Sequence, residues 1–207
     1  MRVGIAGYGV VGKTRHRSIE SNTSYQVTAI SESSEKARKS IPEGMTVYND
    51  YKTLIASAEL DVIFISLPNQ FAAEATCLSL QNGLHVFCEK PPARTHAELL
   101  EVEKQSLKFP ELKLMYGFNH RFHLSVEEAK LLIDSNSLGR LINMKGVYGK
   151  SQMISFNQTD WRTDREASGG GILLDQGIHM LDLMRYLSGE NFTDVFSIID
   201  NAFWNFD

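Results

Sequence analysis

Residues 1–20 read "MRVGIAGYGVVGKTRHRSIE". An apolar run, "RVGIAG" (2–7), breaks at a glycine and passes into a helical pattern from about Val10 to Asn22. The join carries Gly7-x-Gly9-x-x-Gly12, so three glycines sit where a strand turns into a helix. Glycines there permit a tight turn and let backbone N–H groups approach a pyrophosphate at the helix N-terminus. An acidic residue falls about 20 positions after the third glycine, at Glu32, where the second strand ends. A carboxylate there can accept both ribose hydroxyls of an adenosine. Gly7, Tyr8, Gly9, Val10, Val11, Gly12 and Glu32 are therefore the candidate dinucleotide cradle. Two plainer readings stay open: glycines serving only strand–helix packing, and Glu32 as a solvated strand end. Glu32 favours NAD over NADP, although Ser31, Ser33, Ser34, Lys36 and Arg38 nearby could together hold a 2′-phosphate.

Working outward, short apolar runs alternate with helical patterns. "QVTAIS" (26–31) precedes a short helix over 35–40. "DVIFISL" (61–67) leads into a helix over 71–82, "LHVFCEK" (84–90) into one over 95–106, and "LKLMYGF" (112–118) follows as a strand. Continuous apolar strands that each feed a helix indicate an α/β fold with a doubly wound parallel sheet. From Asn119 the texture changes. A helix over 124–135 is followed by "LINMKGVYGKS" (141–151), which alternates as a half-buried strand. A polar segment (152–168) precedes a helix over 174–188, and "TDVFSIIDNAFWNFD" (193–207) reads as strand and edge. The expected organisation is a Rossmann-type domain over 1–118 and an incomplete α+β domain with an open sheet over 119–207.

The 207 residues are 43% apolar and 22% charged, ordinary for a globular protein, so a real core is within reach. A net charge of −4 without basic runs argues against a nucleic-acid surface. The longest apolar runs are too short to cross a bilayer. The strand pattern at residue 2 leaves no room for a signal peptide. Cys77 and Cys88, the only cysteines, form no disulfide framework or metal cluster, and a reducing cytoplasmic location is the expectation.

Two further stretches carry chemistry. "CEKPP" (88–92) puts Lys90 at the end of a central strand, where open α/β sheets bind ligands, ahead of an X-Pro bond that is a candidate for cis. "GGGILLDQGIHMLDLMRYL" (169–187) puts Asp175, His179 and Asp182 within about 60° on an apolar helix at about 100° per residue. Histidine titrates where a general base must, and a carboxylate one turn earlier can fix its tautomer. Alternatively Asp175 caps the helix and His179 is a satisfied core histidine. A metal held by the three is a weaker option, with no cysteine or further histidine close in sequence. Asp182 is expected to make a structural bond further along the helix, and His120 to be a hinge residue.

The succession glycine loop, "SLPN", "GLHVFCEKPPA", "GFNHRF", "DWRTD", "GGGILLDQGIHMLD" resembles the Gfo/Idh/MocA oxidoreductases, relatives of glucose–fructose oxidoreductase and inositol dehydrogenase, over essentially the whole chain. The resemblance implies hydride transfer between NAD(P) and a hydroxyl or ketone carbon of a sugar, cyclitol or nucleotide-linked sugar. It gives Lys90, Asp175 and His179 the catalytic roles, with His179 as proton acceptor. It assigns Leu67, Pro68, Asn69, Glu89, Lys90, Arg121, Trp161 and Arg162 to the cofactor's surroundings. It also implies a small-molecule substrate and a homo-oligomer formed through the C-terminal sheet.

Two departures stand out. A histidine often found four residues after the proline is Ala72 here, and members typically run well past 300 residues. The second departure motivates a rival expectation: a truncated relative that binds dinucleotide without catalysis, as a sensor, partner subunit or fragment.

Overall fold

The computed structural model describes residues 1–149 and 161–200. The end of the expected strand at 150–151, the polar segment up to 160 and the closing residues 201–207 lie outside them. The chain forms two compact units, Met1–Gly117 and Phe118–Asp207.

In the first unit, six strands alternate with five helices: β1 (Arg2–Ala6), α1 (Val10–Glu20), β2 (Gln26–Ser31), α2 (Glu35–Arg38), β3 (Thr46–Tyr48), α3 (Tyr51–Ser57), β4 (Val62–Ile65), α4 (Asn69–Gln81), β5 (His85–Cys88), α5 (His96–Lys108) and β6 (Leu114–Tyr116). All neighbouring strands pair in parallel, in the order β3-β2-β1-β4-β5-β6. This is the doubly wound Rossmann arrangement, with its order reversing between β1 and β4.

Period-two alternation builds both covered faces. Val3, Ile5, Val62 and Phe64 pack with Tyr8 and Ile19 on one side, whereas Ala6, Ile63 and Ile65 pack with Leu54, Ala75 and Leu80 on the other. Ile5, Ile30, Leu54 and Ile63 have no exposed surface, and burial of each contributes about 1.5–3 kcal/mol. In β2 the alternation is broken: Val3 pairs with Val27 but Gly4 pairs with Ala29. Thr28 is the extra residue, so Val27 and Ala29, two apart in sequence, join opposite cores.

Helix starts follow local chemistry. The Ser34 and Asp50 side chains accept from the N–H groups of Ala37 and Thr53 to cap α2 and α3. Thr95 accepts from Glu98 N–H at α5, and the Glu98 carboxylate reaches back to Arg94 N–H, a variant of the capping box.

β3 and α3 answer to no sequence expectation. β3 is three residues at the edge of the sheet, too short to display a period.

The second unit holds a 3₁₀ turn (Asn119–Phe122), α6 (Leu124–Asp134), a 3₁₀ turn (Trp161–Thr163), α7 (Arg165–Ser168), a π-helical turn (Leu173–Gly177) and α8 (Ile178–Ser188). Both long helices stand where the sequence places them. The expected strands differ: residues 141–149 and 193–200 take part in no sheet among the described residues. Alternation gives a segment two faces, but a strand also needs a partner for its ladder. Val195, Phe196, Ile198 and Ile199 are exposed in this segment. Among the described residues no helix is long and apolar enough to cross a membrane.

Candidate functional site

Sheet register brings one set of residues side by side in the first unit. Ala6 pairs with Ser31 and Ile65, Ile65 with Cys88, and Cys88 with Tyr116. The next residue of each strand, Gly7, Glu32, Ser66, Glu89 and Gly117, therefore stands along one carboxyl edge. Backbone bonds continue the ladder there: Gly7 N–H to Ser31, Ser66 to Ala6, Glu89 to Ile65 and Gly117 to Cys88. Ligands of open α/β sheets bind at this edge, where the strand order reverses.

The three glycines of the loop meet different constraints. Gly7 has φ +88°, and a Cβ there would lie 2.5 Å from the Ser66 carbonyl oxygen. A Cβ on Gly12 would be driven into the Gly7 carbonyl, so the helix can press against the turn only without one. Around Gly9 a Cβ would meet nothing within 4 Å. Packing thus explains Gly7 and Gly12 but not Gly9. An open backbone at the start of α1 suits a pyrophosphate, whose oxygens accept from free N–H groups. Val10, 84% exposed, and Val11 add apolar surface beside it. Tyr8 instead is buried, its hydroxyl 2.7 Å from His16 Nδ1. The residues fit a dinucleotide.

Glu32 is fixed toward the loop. Its Oε2 accepts from Tyr8 N–H at 2.9 Å and its Oε1 from Ser34 N–H at 2.8 Å. Arg38, a possible partner of a 2′-phosphate, donates through one terminal nitrogen to the carbonyls of Glu32 and Ser33 and to Asn49 Oδ1. Its guanidinium holds the β2–α2 loop in place.

Leu67 and Pro68 lead into α4, with Asn69 buried at its first turn. Ala72 is buried in the sheet core, so a side chain as large as histidine does not fit there unless its neighbours move. The Lys90–Pro91 peptide is cis, and Lys90 is half-buried. Glu89 Oε1 accepts from Arg15 Nε on α1 at 2.5 Å, and the Arg15 guanidinium lies 4.9 Å from the Phe87 ring centre. Gly117 borders the same carboxylate, since a Cβ there would come within 2.7 Å of Glu89 Oε2. The sequence pointed to Glu89 but not to Arg15, which pins it; only helix phase set against strand register reveals that pair.

In the second unit Arg121 donates from Nε and a terminal nitrogen to both oxygens of Asp182, 2.8 Å at Nε, and lies over the Phe118 and Tyr186 rings. The Asp182 carboxylate raises the guanidinium above its ordinary value, against the opposing effect of burial. Asp182 thus binds the 3₁₀ turn, not a group further along its own helix as expected. Arg162 covers its neighbour Trp161, 4.5 Å from the ring centre.

Asp175 lies inside the π turn, and its Oδ2 accepts from the Gln176 amide at 2.8 Å. The stripe calculated at α-helical spacing therefore does not apply at Asp175, because a π turn inserts an extra residue per bond. Such turns recur at functional sites. His179 is 4% exposed and its ring stacks on that of His120, with centres 4.2 Å apart. Among the described residues no group of three or more His, Cys, Asp or Glu side chains is arranged to hold a metal.

Comparison with known proteins agrees with this geometry. Residues 1–116 match the model of an oxidoreductase family with an NAD-binding Rossmann fold, and residues 126–207 match the GFO/IDH/MocA C-terminal domain. D-glucoside 3-dehydrogenase of Escherichia coli (strain K12) is 30% identical over 200 residues, covering 91% of this chain and 54% of the relative. Myo-inositol 2-dehydrogenase from Lactobacillus plantarum superposes with a TM-score of 0.80 at 32% identity, over 91% of this chain and 56% of that one. Scyllo-inositol dehydrogenase from Lactobacillus casei, solved with NAD(H) and scyllo-inositol bound, gives a TM-score of 0.76 at 27% identity, over 91% and 56%. The chain spans about half the length of the curated relatives it matches. With a glycine loop shaped for a pyrophosphate, a Rossmann strand order and both family regions matched, the chain belongs to the Gfo/Idh/MocA oxidoreductases and its first unit is an NAD-binding domain.

Proposed function

We propose that this chain carries the cofactor domain and the reacting groups of an NAD-dependent dehydrogenase or reductase. It acts on a hydroxyl or ketone carbon of a sugar, cyclitol or nucleotide-linked sugar. The observation that carries the reading is the open backbone at Gly9, flanked by two glycines that packing requires and joined to Glu32 through Tyr8. The engagement of Arg38 with its own loop supports NAD over NADP.

NAD, when bound, supplies the hydride acceptor. Gly7 through Gly12 and Glu32 hold its pyrophosphate and adenosine ribose, and Leu67, Pro68, Asn69, Glu89, Arg121, Trp161 and Arg162 surround the rest. A hydride leaves carbon only as the attached hydroxyl gives up its proton, and His179 takes that proton. Asp175 orients the imidazole and steadies its charged form. Lys90 donates to the oxygen as negative charge develops on it. Residues 1–118 form the cofactor domain, and 119–207 the substrate-binding and assembly domain of a cytoplasmic homo-oligomer.

The test combines NAD titration by calorimetry with NADH formation on a panel of inositols and glucosides. Lys90→Ala and His179→Ala are expected to lose about 10²-fold or more in kcat, and His179→Ala to bind NAD normally. An unchanged rate in His179→Ala removes the base role, and an unaltered chain that does not bind NAD removes the whole reading.

A further inference from the structure

His179 is one member of a ring cluster within the second unit. His120, in the 3₁₀ turn, lies flat against it, with planes 8° from parallel. Tyr148 stacks near both, 5.8 Å from His120 and 6.4 Å from His179, at 17° to each. Phe118 meets His179 edge-on at 6.2 Å, and His123 meets His120 edge-on at 5.2 Å. The plane of the buried imidazole is therefore set by its neighbours.

We propose that His120 is a positioning residue that holds His179 in plane and restricts the two rings to one shared positive charge, carried by His120. Two imidazolium charges with centres 4.2 Å apart repel each other strongly where water is partly excluded. Groups coupled by more than about one pH unit titrate in two steps that belong to the pair. Burial disfavours charge on His179 more than on His120, which is only half-buried, so the first proton goes to His120.

Other charged groups stand on the same elements as the two rings. Asp182 and Arg121 neutralise each other in a two-point ion pair. Asp175 lies in the π turn that leads into α8. It receives a hydrogen bond from the uncharged Gln176 amide. The His123 ring meets that of His120 edge-on, and Tyr148 stacks with it. A face-to-face stack offers no N–H path between the rings, so His120 acts through charge and orientation and does not relay a proton. His179 is thus kept neutral while His120 holds the charge, and takes up a proton readily only when His120 is neutral. Its use as a base rests on the dehydrogenase reading, while the coupling between the rings does not.

The full chain, labelled with ¹³C and ¹⁵N in histidine, is titrated by NMR across about pH 5 to 8. In the unaltered protein the His179 signal is expected to shift in two steps, with its own protonation as the lower one. His120→Phe keeps a flat ring and removes the charge. It should merge the His179 curve into one step whose midpoint lies at least about one pH unit higher. An equal midpoint in both proteins overturns the proposal. So does a single-step His179 curve in the unaltered chain, which decides the matter even if His120→Phe fails to fold. Because neither readout involves turnover, a chain that reduces no NAD yet shows the coupling counts against the dehydrogenase reading alone.

Discussion

Gly9 and Gly12 stand in one loop, and the fold asks opposite things of them. A methyl group on Gly12 would collide with the Gly7 carbonyl, so Gly12→Ala should lose about 1–3 kcal/mol of stability in urea unfolding. Gly9→Ala meets open space and should stay within about 0.5 kcal/mol of the parent. The same change should weaken NAD by about tenfold or more in calorimetry, because it occupies the ground a pyrophosphate needs. Both glycines and Glu32 were legible in the sequence because their job is local, a turn and a strand end. Arg15 and His120 were not. Each acts on a partner distant in sequence, Glu89 and His179, and only the packed fold brings those pairs together.

Among the elements, α3 illustrates how a cap responds to acid. The Thr53 backbone N–H and then its side chain hold the Asp50 carboxyl below the usual range. A carboxyl depressed in the folded state contributes stability above its unfolded value and loses that contribution as pH falls through the folded one. Glu74, depressed by Lys52 and then Tyr51, acts in the same direction. Asp50→Asn should keep the cap at neutral pH but flatten the loss of stability below about pH 4, read from urea midpoints against pH. Asp50→Ala should cost about 1 kcal/mol at neutral pH. Strands buried on both faces were legible as unbroken apolar runs. The edge strand β3 was too short to show a pattern, and the segment over 141–149 shows a pattern but pairs with no strand among the described residues. The π turn at 173–177 was hidden because its sequence is as apolar as an ordinary helix.

At the scale of the molecule, NAD that binds only the folded first unit stabilises it by mass action, about 2.7 kcal/mol at a hundred times the dissociation constant. Thermal scans should show that shift for the parent and about half of it or less for Gly9→Ala. Burial pushes the Cys88 thiol up to about 12 and raises Cys77 as well. Thiol reagents should therefore label Cys88 only as the sheet unfolds, giving a direct reading of its opening. The offset at Thr28 bears on how such chains are compared. Ser31 stands level with Ala6 only because the ladder skips Thr28, and Glu32 follows at the height of the glycine turn. A tally of positions from the third glycine to the acid thus includes a residue that adds no height. A homologue with an uninterrupted second strand would carry its acid one position sooner and still set it beside the same loop. Removing Thr28 from this chain should accordingly leave the carboxylate in reach of Tyr8.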